Sequence, residues 1–148
     1  VTCVSQDKRA GKENIWYFGS GELTGSSASG GESYYGGNGI YKSVDGGLSW
    51  DSLSVTATNT NGFDSNFDFI WNIKTDTSND TLDVVYTATY GTIYRSENGG
   101  ATWVKELGGG NAYYNNIEVT SSGEVYATLS SDGLDKGIWH SVDGQNWT

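Results

Sequence analysis

The sequence predicts an all-β chain built from three consecutive four-stranded antiparallel units, and three observations carry that expectation. One block of residue types recurs three times along the 148 residues; 22 residues are Gly with no Pro and no Met; and the apolar content leans on 6 Trp, 10 Tyr and 4 Phe. Aromatic and β-branched side chains suit pleated, half-buried surfaces, while Gly supplies the turns between short strands.

The first copy of the block reads Gly39-Ile40-Tyr41-Lys42-Ser43-Val44-Asp45-Gly46-Gly47-Leu48-Ser49-Trp50. The second is Thr92-Ile93-Tyr94-Arg95-Ser96-Glu97-Asn98-Gly99-Gly100-Ala101-Thr102-Trp103, and the third Gly137-Ile138-Trp139-His140-Ser141-Val142-Asp143-Gly144-Gln145-Asn146-Trp147. Each is a short strand, an acidic or amide Gly turn, and a Trp that opens the next strand. Asp or Asn at the turn accepts hydrogen bonds from backbone N–H groups, the Gly residues tolerate positive φ, and the Trp packs its large face inward. Ser43, Ser96 and Ser141 stand 53 and then 45 residues apart. A period of about 40 to 50 residues matches a four-stranded β-propeller blade and exceeds a leucine-rich repeat.

The pattern Ser-x-Asp-x-Gly-x-x-Trp resembles the Asp-box, or BNR repeat, of sialidases, sortilin-like propellers and xyloglucanases. Ser43, Asp45, Gly47 and Trp50 match it in full; Asn98 replaces Asp in the second copy, between Ser96 and Gly100 with Trp103 following. The third copy is one residue shorter, so Gly144 serves a tighter turn between Asp143 and Trp147. The segment Trp16-Tyr17-Phe18-Gly19-Ser20-Gly21-Glu22 is similar to the run that opens blades in bacterial sortilin-like propellers. Its glycines permit close backbone approach at a strand end.

Working outward from each turn, blade one spans residues 1–53, with strands at Val1–Ser5, Asn14–Gly19, Ile40–Ser43 and Ser49–Leu53. Blade two spans 66–107, with strands at Phe67–Lys74, Leu82–Thr89, Thr92–Ser96 and Thr102–Glu106. Blade three spans 112–148, with strands at Asn115–Thr120, Val125–Leu129 and Gly137–Ser141, its fourth strand cut off after Trp147. Propellers use about four to eight blades, so the expectation is a fragment, an incomplete ring finished by the remainder of its own propeller or by another chain. Val1 stands where an initiator Met would, which agrees with that reading.

A formal charge of −10, from 8 Lys and Arg against 18 Asp and Glu, repels phosphate backbones and anionic membranes, so neither nucleic acid nor membrane insertion is expected. No apolar run approaches the roughly 18 residues of a membrane span. Cys3 is the only cysteine and reads as a small buried hydrophobe. His140, the only histidine, occupies the Lys42 and Arg95 position of the repeat and reads as an exposed strand site. Neither Asn79-Asp80 nor the 132–135 loop has calcium-loop spacing; no metal and no cofactor are expected.

Candidate ligand-binding residues fall on the loops that join second to third strands and one blade to the next. In propellers these loops share one face. The longest, Ser20 to Asn38, carries Glu22, Glu32, Tyr34 and Tyr35, with Glu22 the first choice for a functional carboxylate; long loops in compact domains often carry function. Tyr90, Tyr113 and Tyr114 join Tyr34 and Tyr35 as candidates for an aromatic platform on which sugars stack, with ordinary core packing at strand starts as the competing and favoured reading. Asp64 and Asp68, read as strand residues, lie roughly 13 Å apart by strand rise, too far for a glycosidic acid–base pair.

The resemblance implies a binding or scaffold module of a larger bacterial protein, secreted or on the cell surface as in the Bacteroidota, contacting protein or glycan. The alternative is part of a glycoside hydrolase propeller. Against the sialidase form of that alternative, a substrate carboxylate needs an arginine cluster, and only Arg9 and Arg95 are present. Assembly-factor propellers with the same repeat use basic patches that this acidic chain lacks.

Overall fold

Thirteen short strands and one 3-10 turn make up the regular structure among the described residues. The computed structural model describes residues 1–25, 33–60, 62–109, 114–130 and 135–148, the side chains at 24, 25, 33 and 34 excepted. Strands β1 (Cys3–Gln6) and β2 (Trp16–Gly19) pair antiparallel, with Tyr17 opposite Ser5. A separate hairpin, β3 (Glu22–Gly25) and β4 (Ser33–Tyr35), rises from the end of β2. Strands β5 (Ile40–Ser43) and β6 (Asp51–Ser52) then complete the first sheet in the order β1-β2-β5-β6.

The second sheet holds β7 (Ile70–Thr75), β8 (Val85–Thr89), β9 (Thr92–Ser96) and β10 (Val104–Gly108); the third holds β11 (Tyr114–Val119), β12 (Val125–Ser130) and β13 (Gly137–Ser141). All neighbours pair antiparallel, with register shifts between Ile70 and Asn72 and between Lys105 and Leu107. After Trp147, Thr148 exchanges both backbone hydrogen bonds with His140 at 2.9 Å, the pairing that Asp51 makes with Lys42 and Val104 with Arg95.

Two expectations are corrected. Phe67 does not begin a strand: residues Asn66–Asp68 form a 3-10 turn, and the strand starts at Ile70. The cause is local, since Ser65 caps the turn and the Asp68 carboxylate reaches back to the Ser65 N–H in a capping box. Asp64 and Asp68 are therefore not spread along one strand: the Asp64 N–H donates to Asp68 Oδ2 at 2.9 Å. The long connection after Ser20 is likewise not a plain loop, because its two arms pair as β3 and β4.

The sheets stand side by side and bury two apolar layers between them. The first layer joins Tyr17 and Ile40 of sheet one to Phe67, Ile70, Ile73 and Val85. The second joins Tyr86, Ala88 and Ile93 of sheet two to Ile117, Val125, Ala127 and Leu129 of sheet three. Burial along the second strand of each sheet follows from this. Every residue of β8 is buried because its sheet is covered on both faces, while β12 alternates strictly, with Val125, Ala127 and Leu129 inward and Tyr126, Thr128 and Ser130 outward.

The three recurrent turns share one geometry. Ser43 Oγ accepts from the Gly47 N–H and Ser96 Oγ from the Gly100 N–H, each at 2.9 Å; in the shorter third turn Ser141 Oγ accepts from Gly144 at 2.8 Å. Asp45 Oδ1 accepts from the Ser49 N–H, Asn98 Oδ1 from Thr102, and Asp143 Oδ1 from Gln145 and Asn146. Hydrogen bonds from Ser49 hold the Asp45 carboxyl well below the usual carboxylate range, and those from Asn146 do the same for Asp143. The first glycine of each turn, Gly46, Gly99 and Gly144, has φ of 78°, 65° and 73°, the left-handed region that other residues enter at a cost.

Candidate functional site

Among the described residues, the β2–β5 and β8–β9 connections and the segment between β6 and β7 meet at one end of the molecule, and the recurrent turns lie at the other. At the connection end the β3–β4 hairpin is tied down at its base. Ser20 Oγ donates to Gly39 O at 2.7 Å and accepts from the Asn38 N–H at 2.9 Å, while the Gly37 N–H donates to Asp68 O at 2.8 Å. A Cβ on Gly21 would strike the Asp68 carbonyl and lie 2.8 Å from Gly37 N, so the backbones meet only because both positions are glycine.

Beside this base, Leu23 of the hairpin, Phe63 of the intersheet segment, Phe69 and Tyr90 line an apolar cleft of about 210 Å³. Phe63 packs at 5.2 Å from Phe69 and edge-on at 4.8 Å from Tyr90. Phe69 is buried and forms the floor, whereas Phe63 is 47% exposed. The segment that holds Phe63 is ordered by polar side chains. Asn38 and Asn59 exchange hydrogen bonds at 3.0 Å, Thr60 Oγ1 donates to Asp64 Oδ2 at 2.6 Å, and Asp68 Oδ2 accepts from the Asp64 N–H at 2.9 Å. Thr60 lowers the Asp64 carboxyl from its ordinary value.

Of the residues expected from the sequence, Tyr90 enters this cleft. Glu22 is exposed at the start of β3, opposite Tyr35. Tyr35 and Tyr114 are 58% and 51% exposed, and the Tyr114 ring lies 5.0 Å from Trp71. Tyr34 belongs to β4 by its backbone; its side chain, with Glu32 and Tyr113, lies outside the described residues. Sequence reading missed Phe63 and Leu23. The available signal was a Phe between Gly62 and Asp64 in an otherwise polar stretch, where no strand needed it.

A larger, polar cavity of about 370 Å³ opens at the other end, where Gln6, Trp16, Lys74, Thr75, Glu118 and Val119 are among its lining residues. Lys74 and Glu118 pair across it at 2.9 Å. Both arginines are held in structural contacts. Arg9 donates to Asp7, Asp83, Asn79 O and Leu82 O, and Arg95 pairs with Glu97 at 2.7 Å. Cys3 packs on the first apolar layer, and burial pushes its thiol up. His140 is half-exposed, and its ring lies tilted against Tyr126 at 4.7 Å. Among the described residues no cluster of three His, Cys, Asp or Glu could hold a metal ion.

No protein-family model matches the chain, and no curated protein does. Solved structures do. Over 91% of its length the chain is similar to part of the GH74 enzyme of Niastella koreensis, with a TM-score of 0.58 and 19% identity. Over 98% of its length it is similar to part of YCF48, solved bound to a D1 peptide, with a TM-score of 0.51 and 20% identity. It spans 19% of the first chain and 37% of the second. At this identity the likeness concerns the fold, and both neighbours are β-propellers. The three sheets are successive propeller blades, and three blades form an arc of a ring.

Proposed function

We propose that this chain is the Asp-box part of a larger bacterial propeller protein, secreted or on the cell surface, that binds a peptide segment of another protein through its connection face. The observation that carries the reading is the Phe63–Tyr90 cleft. It is apolar, open to solvent, floored by a buried Phe69, and of a size for one aromatic or branched side chain. Such pockets with rigid aromatic walls are where binding energy concentrates. The exposed Glu22 on the adjoining hairpin and the net charge of −10 favour a peptide with basic residues around that anchor. The resemblance of the three turns to Asp-boxes supports the export setting, and YCF48 offers a propeller solved with a peptide bound.

Glycan binding is the second reading, favoured by the exposed rings of Tyr35 and Tyr114; a hydrolase propeller is the third, favoured by the likeness to the GH74 enzyme. One comparison separates them. A display library of peptides and a polysaccharide panel are offered to the protein and to its Phe63→Ala variant. Enriched peptides should carry one large apolar residue flanked by Lys or Arg, and the variant should bind them at least about tenfold more weakly. Peptide binding untouched by Phe63→Ala, or polysaccharide cleavage by the protein, would overturn the proposal.

A further inference from the structure

The first rung of the β3–β4 hairpin sets an acid beside an aromatic ring. Glu22 and Tyr35 pair directly across the two antiparallel strands, so their side chains leave the same face of the hairpin with Cβ atoms about 4.5–5.5 Å apart. Both are open to solvent. Glu22 is exposed, and Tyr35 is 58% exposed, more than any other tyrosine among the described residues. No described Lys, Arg or His lies within ion-pair distance of Glu22, whereas Glu97, Glu118 and Glu124 each face a cation.

This rung stands directly on the clamped base of the hairpin. One residue before Glu22, Gly21 packs against the Asp68 carbonyl; two residues after Tyr35, the Gly37 N–H donates to that same carbonyl at 2.8 Å. The Ile70 N–H donates to Ser20 O at 3.2 Å, which ties the entry of β3 to the start of β7. Leu23, the residue after Glu22, lines the apolar cleft. The acid–ring pair and the cleft are therefore held at a fixed separation.

An exposed ring next to a carboxylate is complementary to one side chain above others. A guanidinium is planar, always charged and weakly hydrated, so it stacks on the ring while its N–H groups bond the carboxylate. A lysine ammonium is a compact, strongly hydrated point charge and gains less from the ring. A neutral sugar would use the ring and leave the charge of Glu22 unmatched, and an anionic group would be repelled by it.

We infer that Glu22 and Tyr35 form a subsite for an arginine side chain of the bound peptide, beside the cleft that takes its apolar anchor. The inference rests on the peptide-binding reading above and adds to it a residue type and a position. Because Leu23 follows Glu22 directly, an extended peptide, rising about 3.3 Å per residue, places that arginine about one to three residues from the anchor. The net charge of −10 adds attraction for such a peptide at long range.

Displayed peptides with one fixed Phe and random flanks, selected on the 148-residue chain, should show Arg enriched over Lys within about three residues of the Phe. Fluorescence anisotropy of the selected peptide should then give about threefold to fivefold weaker binding to Glu22→Gln and to Tyr35→Ala, the range for exposed ion pairs and cation–π contacts. Tyr35→Phe should restore most of the second loss. Replacing the peptide Arg by citrulline leaves the protein untouched; it should weaken binding to wild type by a similar factor and abolish the effect of Glu22→Gln. Selected peptides without Arg overturn the inference. So does an affinity indifferent to Glu22→Gln or Tyr35→Ala, or a citrulline peptide that still distinguishes Glu22→Gln from wild type. If Phe63→Ala nonetheless weakens the selected peptide about tenfold, the subsite alone falls and the peptide reading stands. If Phe63→Ala is silent as well, or no peptide is selected, both fall.

Discussion

The interface between blades one and two and that between blades two and three use the same strands at the same register, yet they are closed by different chemistry. At the first, the loop after β1 sends Arg9 into the loop after β7. All five of its donors are used, on Asp7, Asp83 and the carbonyls of Asn79 and Leu82, and Lys12 adds a second cation to Asp83. At the second, the corresponding loops meet through Ser78 and Gly123 without a cation. Amides and rings close it instead: Asn72 donates to Ile117 O, Asn115 to Thr89 O at 2.7 Å, and Tyr86 seats on Gly144. The lesson is that a repeat conserves the positions of its contacts more than their kind. Apolar burial holds both interfaces; the buried charge clasp is an addition at the first, while the second carries only the more exposed Lys74–Glu118 pair at 2.9 Å.

The largest test of that difference is Arg9→Met. The Arg9 and Asp7 side chains are 7% and 4% exposed, so removing the guanidinium strands a buried carboxylate. Breaking such a pair costs on the order of 3–5 kcal/mol. Urea unfolding should report a loss of that size. A loss below about 1 kcal/mol would mean that the first interface is held by apolar packing alone, like the second.

The glycine contacts should separate by a smaller margin. Gly144→Ala drives a methyl into the Tyr86 ring, which is fixed by packing, while Gly99→Ala meets chiefly the Lys42 ammonium, which can swing away. Both also force a non-Gly residue into positive φ. About 2–3 kcal/mol is expected for Gly144→Ala and about 1 kcal/mol for Gly99→Ala. Equal melting shifts for the two would show that backbone conformation, and not the tyrosine cap, sets the cost.

The smallest effect is the pH dependence that Asp83 contributes at the first interface. Lys12 and Arg9 lower the Asp83 carboxyl from its ordinary value. Its folded pKa then lies below the unfolded value of about 3.9, so its stabilisation is present above that pH and is lost as pH falls through the folded pKa. Asp83→Asn should cost no more than about 1 kcal/mol at pH 7, because the side chain is 37% exposed. The difference from wild type should fade only as the pH is lowered below about 3.9 and through the folded pKa. A difference that persists undiminished into acid would assign the loss to packing instead of charge.

Much of the fold was legible in the chain because its signals are local. The strand, turn and Trp of each copy lie within about a dozen residues, so hydrogen bonds such as Ser43 Oγ to Gly47 can be inferred from spacing. The 3-10 turn at Asn66–Asp68 was open to the same kind of reading, since Ser65 and Asp68 stand at capping-box spacing, yet the apolar run from Phe67 outweighed it. The hairpin at Glu22–Tyr35 was hidden by the many Gly and Ser residues between its arms. The candidate site was legible only in part. Tyr90 stood out as a loop aromatic, but Leu23, Phe63 and Phe69 are brought beside it from three separate segments.

By itself the sequence determined that the chain is all-β, that it repeats about every 50 residues, and where each turn places its serine, its acid or amide and its glycine. Those features depend on hydrogen bonds and φ preferences within one turn, which need no distant partner. Only the tertiary structure decided what each repeat touches. Arg9 meets Asp83 across 74 residues of chain, Tyr17 meets Gly99 across 82, and Ile40, Ile93 and Ile138 share a position while only the first two are buried. Burial is set by whether another blade stands in front of the face, and a local pattern holds no information about that.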